Sequence, residues 1–211
     1  MPHLVLLGDS IFDNAAYVAG GPSVVDQLRA VLPEGWAATL RARDGSYVCD
    51  VAAQLRGMPE DATHLVVSAG GNDAIDRIAI LEARVRSVAE ALDRLDEIGR
   101  EFDRRYRTML RKVLDRALPT AVCTIYDPRF PDRTLRRLTR TGLAVFNDRI
   151  LRSAFRAGLP VLDLRLLCAE DADYANPIEP SVHGGEKIAR GVVRLAVEHD
   201  FRRSRTEVFS A

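Results

Sequence analysis

Net charge is missing from this sequence: its 211 residues carry 30 Lys and Arg against 30 Asp and Glu. No bulk field therefore draws the chain to a phosphate polymer or an anionic membrane, and nucleic acid is not an expected partner. The arginine-rich stretches around Arg104, Arg105, Arg107 and Arg136, Arg137, Arg140 are interleaved with acids or apolar residues at helical spacing, as solvated helix faces are. Cysteine is scarce as well. Cys49, Cys123 and Cys168 are odd in number and form no C-x-x-C pair, which argues against a disulfide framework and a zinc site and fits a reducing compartment. Cys49 and Cys123 read as small core residues. Apolar runs long enough for a signal-peptide core or a membrane span are also lacking, so a cytoplasmic protein that does not engage a membrane is expected. No repeat, low-complexity tract or composition shift marks a linker. The length predicts one domain over 1–200, followed by a polar tail at 201–211.

What is present is an alternation of short apolar runs with amphipathic helical patterns, the signature of βαβ units feeding a parallel sheet. The runs predict strands at His3–Leu7, Ala38–Ala42, His64–Ser68, Thr120–Tyr126 and Leu159–Leu164. Ser23–Leu32 places Val24, Val25, Leu28, Val31 and Leu32 on one helical face, with Pro33 as its stop. Helical spacing continues over Ile78–Leu118 with a break near Gly99, and further helices are predicted over Leu143–Ala157 and Gly185–His199. The expected fold is α/β, a three-layer α/β/α sandwich around a five-stranded, mostly parallel sheet.

In such a sheet the functional crevice lies outside the carboxyl ends of the strands. Gly8-Asp9-Ser10 follows the first strand, Asp44-Gly45-Ser46 the second and Gly70-Gly71-Asn72-Asp73 the third. Glu179-Pro180-Ser181-Val182-His183 comes after the fifth, just before the last helix. Each segment supplies something acyl transfer needs. Ser10 can offer a hydroxyl nucleophile and a backbone N–H, Gly45 an N–H, Asn72 a side-chain amide for an oxyanion, and His183 a general base. Singly, each has a plainer reading: Ser10 as a turn or cap residue, Gly45 as a turn glycine, Asn72 as a helix cap, His183 as a solvated loop histidine. Ser10 is followed by Ile11 and Phe12 with no second glycine, which excludes a Gly-x-Ser-x-Gly elbow.

Taken together, Gly8-Asp9-Ser10, the Gly-x-Asn-Asp of Gly70 to Asp73 and the late histidine resemble the SGNH (GDSL-like) hydrolase superfamily over nearly the whole chain. The resemblance implies a flavodoxin-like sheet and hydrolysis of carboxylic esters or thioesters, with no organic cofactor and no metal. It assigns Ser10 as nucleophile, Ser10, Gly45 and Asn72 as the oxyanion hole and His183 as base, acting on a small-molecule ester substrate. The family usually carries an aspartate three residues before the histidine, where this chain has Pro180. Glu179, one residue earlier, is the candidate third member of the triad. A backbone carbonyl near Pro180, Asp171 and Asp173 are the alternatives. An acyltransferase using the same site and a catalytically inactive binding protein of the same fold remain as other readings.

Overall fold

The computed structural model describes residues 1–210. In chain order its strands are β1 (His3–Gly8), β2 (Ala37–Leu40), β3 (His64–Ser68), β4 (Thr120–Cys123), β5 (Val161–Leu162), β6 (Tyr174–Asn176), β7 (Glu179–Pro180) and β8 (Val208–Phe209). Its α-helices are α1 (Val24–Val31), α2 (Val51–Gln54), α3 (Gly71–Ile75), α4 (Val88–Leu114), α5 (Arg133–Ala157), α6 (Leu164–Leu167) and α7 (Val182–Glu198). Six strands form one sheet in the order β2-β1-β3-β4-β5-β8, every pairing parallel, while β6 and β7 make a separate antiparallel hairpin.

The alternation of β1 explains the layers. Successive side chains of a strand point to opposite faces, and all six residues of β1 are buried. Leu4 and Leu6 join the core under α1 and α7, with Leu28 and Ile188. Val5 and Leu7 join the core under α4 and α5, with Tyr106 and Ile150. A sheet covered on both sides reads as continuous apolar runs, as the sequence does here.

Several boundaries differ from expectation, for local reasons. The sixth strand, β8, lies in the segment read as a polar tail. Val161 and Leu162 pair with Val208 and Phe209, and Phe209 is buried among charged neighbours in sequence, too short a signal for periodicity to register. No break occurs at Gly99, because α4 runs through it. A β-carbon there would lie 2.6 Å from Val145 Cγ1, so the glycine serves a close crossing of α4 over α5. The stretch ahead of α4 is a separate 3-10 turn, Ile78–Glu82. Helix α5 begins ten residues earlier than expected, where Asp132 Oδ1 accepts from Thr134 N and Leu135 N at 2.7 and 2.8 Å. Cys49 is exposed rather than core, whereas Cys123 is buried.

Candidate active site

The site begins with a close approach of two strands. Gly8 has φ +124°, and a β-carbon on it would stand 1.6 Å from the Ser68 carbonyl oxygen, so only glycine allows β1 to end against β3 in this way. Asp9 N then donates to Ser68 O at 3.1 Å. Ser10 follows at the carboxyl end of β1, where β2 and β3 leave on opposite sides and the sheet has its topological switch point.

The Ser10 hydroxyl donates to Glu179 Oε1 at 3.0 Å. Glu179 opens β7 and is held from several directions. Tyr126 OH donates to the carbonyl of Ile178 at 2.6 Å, and Asn14 Nδ2 to the carbonyl of Pro180 at 3.2 Å. Asn14 is fully buried, and its Oδ1 in turn accepts from Val24 N at the start of α1. Ser181 N donates to the Asp173 carbonyl at 2.8 Å, which closes the hairpin. Glu179 is only 6% exposed, and its Oε2 is buried with no hydrogen-bond partner.

His183 stands elsewhere. Ser181 caps α7 by accepting from Gly184 N at 3.2 Å, so the helix starts at Val182 and His183 lies in its first turn instead of in a loop. Its Nε2 is 3.6 Å from Asp173 Oδ1, and its side chain is 53% exposed. Among the described residues no hydrogen bond joins it to Ser10 or Glu179, so the expected Ser10–His183 pair is not formed. Lys187 Nζ, one turn along α7, lies 2.7 Å from the same Asp173 oxygen and 3.4 Å from Glu170 Oε2. Glu170, Asp173 and His183 could by spacing hold a cation, but the Lys187 ammonium already supplies positive charge at that point. Asp171 turns outward to Arg129 and Arg136.

Asn72 occupies the first turn of α3, whose N-cap is Gly70, so its side chain is not a cap. Its Nδ2 donates to the Ser46 carbonyl at 2.9 Å, which leaves one amide hydrogen unused by that bond. Gly45 sits at φ +73° in the turn after β2, with no heavy atom within 4 Å of where a β-carbon would be. That turn is tied to the Ser10 segment by Arg43 N to Gly8 O at 3.1 Å and Asp44 N to Asp13 Oδ2 at 2.9 Å.

Burial governs the electrostatics. It pushes the Glu179 carboxyl up to about 7; the Ser10 hydroxyl bond partly opposes this and repulsion from Asp44 adds to it. Asp9 is likewise pushed up to about 7, chiefly by burial. The Ile11 N–H offsets part of the rise, and Glu179 adds to it. The buried Tyr126 hydroxyl is raised well above its ordinary value and stays a neutral donor. Ser10, Asn72, Asp9 and Glu179 line one pocket. Its walls are apolar and include Ile78 and Leu81 from the 3-10 turn, Leu95 and Ile98 from α4, Ile125, and Phe146 from α5.

Sequence reasoning missed Asn14 as the residue that fixes the hairpin, and nothing in its neighbourhood singles it out. It also missed the pocket wall made by Ile78, Leu81 and Leu95, which the helical spacing of that region assigned to packing alone.

A serine thus stands at the switch point of a doubly wound sheet, hydrogen-bonded to a carboxylate that lines an apolar pocket. The model of the GDSL-like lipase/acylhydrolase family matches residues 6–187, and the chain belongs to that family; it is an ester hydrolase. No curated protein matches it by sequence. Among solved structures, the extracellular lipase of Streptomyces rimosus is similar at 16% identity and TM-score 0.67, over 95% of this chain and 100% of that one. The lipase Lip_vut3 from a goat rumen metagenome is similar at 19% and 0.70, again over 95% and 100%. The lipase/acylhydrolase of Enterococcus faecalis is similar at 22% and 0.65, over 92% and 94%. At these identities the three share the fold.

Proposed function

We propose that the protein cleaves carboxylic esters through an acyl-enzyme on Ser10, with an apolar acyl group seated in the pocket. The observation that carries this reading is the Ser10 hydroxyl itself, hydrogen-bonded to a buried carboxylate in an apolar cavity that Asn72 also lines. Attack by Oγ on the ester carbonyl generates an oxyanion. The Ser10 N–H, the Gly45 N–H and the second amide hydrogen of Asn72 are the donors assigned to it. Departure of the alcohol leaves the acyl-enzyme, and water releases the acid. A thioester would follow the same course.

The substrate is read as a small molecule, with neither nucleic acid nor membrane as partner, a reading supported by the balanced charge. Among the described residues no helix is long and apolar enough to cross a membrane, and the free thiols of Cys49, Cys123 and Cys168 support a cytoplasmic setting. A second reading, an inactive binding protein of this fold, is favoured by one observation: among the described residues no histidine is hydrogen-bonded to Ser10.

Fluorophosphonate labelling with peptide mapping separates the two, together with turnover of p-nitrophenyl acetate and octanoate. The enzyme reading expects a label on Ser10, better turnover of the octanoate, and loss of both label and turnover in Ser10→Ala. An unlabelled, inactive wild-type protein leaves the binding-protein reading.

A further inference from the structure

The carboxylate against Ser10 is a buried titratable group with one oxygen that no hydrogen bond uses. We propose that Glu179 is itself the general base, so that the enzyme works with a Ser10–Glu179 dyad and His183 takes no part in the chemistry. This rests on the esterase reading above and assigns to one residue the proton transfers that reading requires.

Geometry comes first, since a base must lie within about 2.6–3.2 Å of the proton it removes. Glu179 Oε1 meets that at 3.0 Å from Ser10 Oγ, while His183 faces Asp173. The second observation is Glu179 Oε2, buried and without a hydrogen-bond partner. A buried acceptor left open costs stability, and the residue that carries it lines the pocket. The third is the electrical setting. The titratable groups that act on Glu179, or that it acts on, are Asp9 after β1, Tyr17 from the 3-10 turn Ala15–Tyr17, Asp44 after β2 and Tyr126 after β4; none is a cation. With no cation to hold it ionised, the carboxyl has its affinity for a proton raised to about 7, which suits a base working near neutral pH.

The proton balance closes. As the Oγ–carbonyl bond forms, the Ser10 proton passes to Glu179 and the carbonyl electron pair moves onto oxygen. When the tetrahedral species collapses, the ester C–O bond breaks and the departing alcohol oxygen takes that proton. Water then gives a proton to Glu179 as its oxygen bonds to the acyl carbon, and Ser10 Oγ leaves with the proton returned. The net change is ester plus water to acid plus alcohol. Backbone anchors fix the base: Asn14 and Tyr126 hold Pro180 and Ile178 on either side of it.

The test compares Glu179→Gln, Glu179→His and His183→Ala on an activated ester across pH 5 to 9. Gln can still accept the Ser10 hydrogen bond but cannot take the proton, so a merely positioning role would survive it. Expected for Glu179→Gln is a fall in kcat/KM of about 10² to 10⁴, with loss of the limb that rises through pH 7 in the wild type. Glu179→His should recover part of the rate, and His183→Ala should stay within about threefold of wild type with the limb unchanged. Should Glu179→Gln fail to fold, His183→Ala decides, because a dead, folded His183→Ala overturns the proposal. So does a Glu179→Gln variant that retains near-normal kcat/KM. Either of those results, with Ser10 still labelled by fluorophosphonate, leaves the esterase reading standing; an unlabelled wild type removes both.

Discussion

Asp173 and Glu179 lie on either side of one short hairpin, both carboxylates are buried, and the protein treats them in opposite ways. Asp173 is fully buried but compensated: Lys187 Nζ stands at 2.7 Å, and Glu170 N donates to its second oxygen at 2.9 Å. Glu179 has only a neutral hydroxyl, on Oε1; its Oε2, like Asp173 Oδ1, carries no hydrogen bond, and no cation stabilises it. A buried charge beside a countercharge is tolerable, whereas one without a countercharge moves its pKa instead. The first arrangement serves the fold, since Asp173 anchors both the start of the hairpin and the first turns of α7. The second sets stability against reactivity, as active sites commonly do.

The largest expected effect outside the dyad lies at the reactive end. Asn72→Ala should lower kcat by about 10² to 10³ with KM little changed, because an oxyanion donor acts mainly in the transition state. Steady-state kinetics on the octanoate ester checks it, and a raised KM at normal kcat would reassign Asn72 to substrate binding. The compensated end should respond in the other currency. Asp173→Asn strips Lys187 of its nearer carboxylate, leaving Glu170 at 3.4 Å, and the partly exposed ammonium can turn to water. Stability should fall by about 1–3 kcal/mol, while kcat per folded molecule stays within about threefold. Denaturant melts beside kinetics read the two separately. A folded Asp173→Asn without activity would mean that the two ends are coupled.

The same contrast marks what could be read before the fold was known. Strand ends were legible because β1, β3 and β4 are continuous apolar runs, and a strand end fixes where its loop must emerge, so Ser10 and Asn72 could be placed at one crevice. Ser23 and Pro33 bracket α1 for equally local reasons. Which late residue meets Ser10 was not legible. Glu179 and His183 are four residues apart, and the choice depends on where Ser181 starts α7 and on the Asn14 and Tyr126 bonds, all of them contacts across the fold. Gly99 misled for the same reason: its meaning lies in Val145, on another helix. β8 escaped notice because two apolar residues make a strand only when an open sheet edge awaits them.

The smallest expected effect is a pH dependence of stability that belongs to Glu179. A carboxyl of ordinary pKa near 4.5 that is raised to about 7 in the folded protein keeps its proton over a range where the unfolded chain has lost it. The wild type therefore has its full stability from this group below about pH 4.5, loses it progressively as pH rises through 7, and is constant above that. Glu179→Gln carries no such penalty, and it also removes the repulsion that helps raise Asp9. The difference in Tm between variant and wild type should thus move in favour of the variant by a few degrees between pH 4 and pH 8. Comparing the two pH values cancels any pH-independent cost of fitting an amide beside Ser10. Thermal melts of the two proteins at both pH values give the answer, and a Glu179→Gln variant that gains nothing on going to pH 8 would mean that the carboxylate is compensated after all.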